Sequence, residues 1–115
     1  MIHQTTNPNA CIPGEAQMWH ECILQHFRDL FIDSSISCKR KLKLDAKIFL
    51  LRKNDQFDFI CNLLGYNAPS LRGKIRNIYY STKKRKIPVT RATSFLSKLL
   101  IETYISLNSF KDAAS

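Results

Sequence analysis

Residues 57–78 read FDFICNLLGYNAPSLRGKIRNI. In the first half Phe57, Ile60, Cys61 and Leu64 recur at steps of three and four, which gathers them on one face of a helix. Gly65 ends that helix, because glycine enters the left-handed conformation without a steric cost. Asn67 is a good cap for a second helix, and Pro69 is tolerated in its first turn. Leu71, Ile75 and Ile78 then make an apolar anchor stripe, while Arg72, Lys74 and Arg76 bring three cations and no acid. An apolar helix, a glycine turn and a basic second helix form the grammar of a helix-turn-helix, here at about residues 56–80. The same grammar joins two packed helices in many all-α proteins, so the flanking sequence carries the choice.

Upstream, Asp55 followed by Asp58 resembles a capping arrangement that starts the apolar helix near Gln56. Before it, DAKIFLLRKN predicts a helix from Asp45 with Ala46, Phe49 and Leu50 inward, and residues 38–44, CKRKLKL, read as a charged connector. Pro13-Gly14-Glu15 marks an earlier helix start. Met18, Trp19, Cys22, Ile23, Phe27, Leu30 and Phe31 follow at helical spacing to about Asp33. Downstream, STKKRKIP reads as a basic loop closed by Pro88. A last helix over about 90–108 carries Phe95, Leu99, Ile101, Tyr104 and Ile105. The expected architecture is all-α: a flexible arm over 1–12, one domain of about five helices over 13–108, and a frayed tail over 109–115.

At 115 residues the chain suits one domain, and 44% hydrophobic residues fit a folded globule rather than a disordered tail. No apolar run approaches the ~20 residues of a membrane span, and residues 1–15 lack the basic and apolar regions of a secretory signal. The expected location is therefore cytoplasmic and nucleoid-associated, with the four cysteines as free thiols.

Charge is lopsided, with 18 Lys and Arg against 9 Asp and Glu, a net of +9. Fifteen of those cations fall within residues 39–53 and 72–91, whose sole acid is Asp45. A merely solvated surface would intersperse the signs. Two clusters flanking a helix-turn-helix pattern predict phosphate clamps and salt-dependent binding. The candidate nucleic-acid contacts are Asn67, Ser70, Arg72 and Arg76 in the groove. Lys74, Lys83, Lys84, Arg85 and Lys86 are assigned to phosphate, with Lys39, Arg40 and Lys41 as a second patch. Arg72 and Arg76, at i and i+4, are expected to reach one groove together. Tyr79 and Tyr80 offer rings for single-strand stacking, but one of them is expected in the core.

Catalytic and metal chemistry find no pattern here. His20, Cys22 and His26 lie close in sequence, yet no CxxC or HxxxH completes a tetrahedral set. Gly-rich phosphate loops and nucleophile elbows are absent, and Asp55 and Asp58 suit helix capping better than catalysis. The reading is a non-enzyme without cofactor.

The chain resembles small proteins met in alphaproteobacterial prophages and gene transfer agent systems. The resemblance rests on W-x8-RDL at Trp19 to Leu30, on AKIFLL at 46–51, and on F-x-x-I-C-x-L-x-G followed by P-x-L-R at Phe57 to Arg72. The spacing G-x5-L-R-x2-I (Gly65, Leu71, Arg72, Ile75) is also similar to the DNA-binding region of sigma factors. The resemblance implies a phage-type transcription regulator touching duplex DNA and RNA polymerase. A homodimer, a module docking its basic face on an acidic protein, and an RNA or single-strand binder stay open as alternatives.

Overall fold

A computed structural model describes residues 13–33, 35 and 37–114, with the side chains of 109–114 outside the description. The arm expected over 1–12 therefore lies outside the described residues, whereas the backbone of 109–114, expected as a frayed tail, continues the last helix. Among the described residues there are five α-helices and no strand: α1 (Gly14–Asp29), α2 (Ser37–Leu51), α3 (Asp55–Leu64), α4 (Ala68–Arg85) and α5 (Val89–Ala114). None is long and apolar enough to cross a membrane.

Helix α1 follows Pro13, whose carbonyl accepts from the amide of Gln17 at 3.0 Å. Its inward stripe is Ala16, His20, Ile23, Leu24 and Phe27, continued by Leu30 just past the helix end; Met18, expected inward, is exposed. Helix α2 starts eight residues earlier than the expected Asp45, so the 38–44 connector is helical. Lys, Arg and Leu are strong helix formers, and no Gly or Pro stands in that stretch to break it. Its core contribution is Ala46, Phe49 and Leu50, near its carboxy end.

Helix α3 is capped by Asn54 rather than Asp55: the Asn54 side chain accepts from the amides of Gln56 at 2.9 Å and Phe57 at 3.1 Å. Gly65 closes α3 at φ 79°, the left-handed region expected for it. Asn67 caps α4 as expected, accepting from the Ser70 amide at 2.9 Å. Helix α4 then runs five residues beyond the expected Tyr80, absorbing most of the KKRK loop, and stops where Lys86 turns left-handed at φ 54°. Pro88 precedes α5, in which Ala92, Leu96 and Leu100 are buried. Phe95, expected on the core face, is 61% exposed, because the buried stripe is one residue out of phase with the expected one.

One core joins all five helices through Phe27, Leu50, Phe57, Ile75, Leu96 and Leu100. α2 packs on α1, α3 and α4, and α5 closes the bundle against α1 and α4. The turn between α3 and α4 is pinned from within. Tyr66 is buried there and its hydroxyl donates to the carbonyl of Leu100 at 3.3 Å, leaving the oxygen to accept from Nε2 of His20 at 2.7 Å. That pair links the turn to α1 and α5 at once. Burial holds His20 well below its ordinary value, at about 4, and pushes the Tyr66 phenol up.

Candidate nucleic-acid interface

Helix α4 is 18 residues long, and its circumference divides into distinct sectors. Leu71, Ile75 and Tyr79 turn into the core. Tyr80, the neighbour, is 58% exposed, so one tyrosine is core and the other surface, as the sequence suggested.

The arginines depart from expectation. Arg72 is buried, 7% exposed, and its Nη2 donates to Oδ1 of Asp58 on α3 at 2.7 Å. Its guanidinium also sits 4.9 Å from the centre of the Phe57 ring. Arg76 is exposed, but its guanidinium turns back to the end of α2, where Nε donates to the Leu51 carbonyl at 2.9 Å and Nη2 donates to the same oxygen. Helix ends leave such carbonyls unpaired, and a cation there also answers the helix dipole. Arg72 and Arg76 therefore do not reach a groove together; they tie α4 to α3 and α2. The physical reason is their position beside the stripe of Leu71 and Ile75, on the flank that faces those helices.

The sector opposite the core holds Ser70, Lys74, Asn77, Tyr80 and Lys84, all exposed. At about 100° per residue these positions fall within one broad stripe. Asn77 was not among the sequence candidates. The step of three from Lys74, continuing the step of four from Ser70, is the signal that finds it. Asn67 stands at the amino end of this sector with its side-chain oxygen engaged in capping, which leaves the amide nitrogen as its donor.

The flanking cations are carried on helix rather than loop. Lys83, Lys84 and Arg85 form the last turn of α4, followed by Lys86, and all four are exposed. Lys83 leans on Tyr79, with Nζ 5.3 Å from the ring centre. Lys39, Arg40 and Lys41 lie exposed in the first turns of α2. Phe31 packs on Tyr79 at 5.4 Å between ring centres, and α2 begins six residues later. Among the described residues, only Arg28 (with Glu21) and Arg72 (with Asp58) lie within ion-pairing distance of a carboxylate.

Of the metal candidates only Cys22 and His26 stay together, with Sγ 3.9 Å from Nδ1. His20 is spent on Tyr66. His26 packs its ring on Phe49 at 4.1 Å, with Nδ1 2.8 Å from the Cys22 carbonyl. No group of three His, Cys, Asp or Glu residues that could hold a metal occurs among the described residues. Cys61 is buried under α4, and desolvation pushes its thiol up to about 12, so it serves as a small apolar side chain.

Comparison with protein-family models, curated proteins and solved structures gave no match to the chain.

Proposed function

We propose that the chain is a duplex-DNA-binding transcription regulator of phage type, gripping DNA with α4 as the reading helix of a helix-turn-helix. The observation that carries this reading is the outward sector of α4, where Ser70, Lys74, Asn77 and Lys84 supply donors without a carboxylate among them. Asn77 and Ser70 are the side chains suited to base edges. Lys74 and Lys84 are suited to phosphate, with Lys83, Arg85 and Lys86 beyond them. Lys39, Arg40 and Lys41 form the second phosphate patch. Arg72 and Arg76 act only as positioning residues, holding α4 against α3 and the end of α2.

Gly73 supports the same reading. It lies in the outward half of α4, and a Cβ built there meets nothing within 4 Å, so the fold itself does not require glycine. Close approach of a nucleic-acid backbone does give a reason for a residue that costs about 1 kcal/mol of helix stability.

The test is fluorescence anisotropy of the full chain with matched duplex DNA, single-stranded DNA and RNA across a salt series. Neutralising about six phosphates predicts a fall in duplex affinity of about a thousandfold between 50 and 200 mM salt. Lys74→Ala with Asn77→Ala should remove duplex preference without altering the circular dichroism spectrum. Preference for a single strand, lost in Tyr80→Ala instead, would replace this reading with stacking of bases on the exposed Tyr80.

A further inference from the structure

A groove opens on the next sector of α4. It lies between the carboxy half of α4, the connecting residue Ile87 and the first turns of α5, and encloses about 430 Å³. Its carbon walls are Ile78, Ile87, Ala92 and Phe95. Arg85 and Arg91 supply its charge, and no carboxylate lines it. Phe95 is 61% exposed, a large apolar ring that α5 turns away from the core and toward this groove. Such a ring is expensive to leave in water, and arginine beside aromatic carbon is the composition of protein-binding hot spots.

We propose that this groove docks a short acidic amphipathic segment of a partner protein. One or two apolar side chains of the segment seat against Phe95 and Ile78, and flanking carboxylates meet Arg85 and Arg91. The two parts of the groove select together for this occupant. A sugar-phosphate backbone satisfies the arginines but wastes the carbon walls, and a purely apolar segment leaves the arginines unanswered. Anchors at i, i+3 and i+4 on a helical segment fit a cleft between two helices. The groove adjoins the outward sector through Asn77, which also lines it, so a docked partner sits next to bound DNA. The proposal stands without the DNA reading: Arg85 and the bordering Asn77 are shared with that reading, but Ile78, Ile87, Arg91 and Phe95 are not.

The test is an NMR titration of the ¹⁵N-labelled full chain with a synthetic helical peptide carrying Leu and Phe at i, i+3, i+4 and i+7 and glutamates on the flanks. A peptide with every Glu changed to Gln and a single-stranded oligonucleotide serve as comparisons. Saturable shifts are expected at the amides of Ile78, Ile87, Ala92 and Phe95. Affinity should fall at least tenfold in Phe95→Ala and in the double variant Arg85→Gln with Arg91→Gln, and at least fivefold for the glutamine peptide. Phe95→Ala removes an exposed ring, and an unchanged melting curve would confirm that its fold is intact. No saturable binding up to millimolar peptide, shifts centred on Lys39–Lys41, unchanged affinity in Phe95→Ala, or tighter occupation of the same amides by the oligonucleotide would each overturn the proposal.

Discussion

Replacing Arg72 by alanine removes a buried link between α4 and α3, and the structure sets the size of the loss. A hydrogen bond to a charged partner contributes about 1.5–3 kcal/mol. The Asp58 end is 30% exposed and recovers water when its partner leaves, so the lower part of that range applies. Stacking over Phe57 adds about 0.5–1 kcal/mol, and the buried methylenes of Arg72 add about as much again. Against these stands Nε of Arg72, buried without a partner, whose removal returns part of the cost. The expected net loss is about 2–3 kcal/mol, or about 8–12 °C in melting temperature for a domain of this size. Arg72→Met, which keeps the volume and deletes the orphaned N–H, should lose about half as much. Urea unfolding followed at 222 nm measures both. Duplex affinity, read by anisotropy well below the melting temperature, should stay within about twofold of wild type in Arg72→Met. An Arg72→Met protein that is fully stable yet no longer binds DNA would refute the reasoning and return Arg72 to the groove.

Three other outcomes follow from single sites. Gly73→Ala should raise stability by about 1 kcal/mol in thermal unfolding, since the added methyl meets open space, while weakening duplex binding if a backbone approaches there. His20, held near 4 in the fold against about 6.5 when unfolded, makes the unfolded chain bind the extra proton. Its contribution is therefore complete above about pH 6.5 and is lost as pH falls toward 4. Urea midpoints of wild type should fall more steeply over that window than those of His20→Gln. Cys38 is exposed and should react at once with a thiol reagent at neutral pH, whereas Cys61 should label only at the rate of unfolding.

Much of the fold was legible because its punctuation is local chemistry. Gly65 and Asn67 could be read directly, one from its freedom at positive φ and the other from its side-chain oxygen. The ends of α2 and α4 were not, because runs of Lys and Arg suggest a loop by charge but favour a helix by propensity, and no Gly or Pro settles the matter. Asn54 and Asp55 are adjacent and both cap well, which shifted the start of α3 by one residue. Phe95 shares a helical phase with Leu99, one residue off the phase of Leu96 and Leu100 that the core buries. Arg72 and Asp58 are far apart in sequence but sit in the first turns of consecutive helices, and only the packing of those helices shows that they meet. Tyr66 lies in a turn without periodicity, so nothing in the sequence announces that it holds the turn to α1 and α5.

The division of α4 into sectors has a consequence for its outward face. Core packing by Leu71, Ile75 and Tyr79, the ties of Arg72 and Arg76, and the Tyr66 anchor together fix the helix axis and its rotation. None of that uses Ser70, Lys74, Asn77 or Lys84. Those four can therefore change at little expense to stability, and they are presented on a helix that need not order itself on binding, which lowers the entropy cost of association. Loss of binding caused by substitutions there is then attributable to lost contacts. The same loss caused at Arg72 or Arg76 reports a helix that has tilted. Melting temperature separates the two, because only the second kind of variant moves it by several degrees.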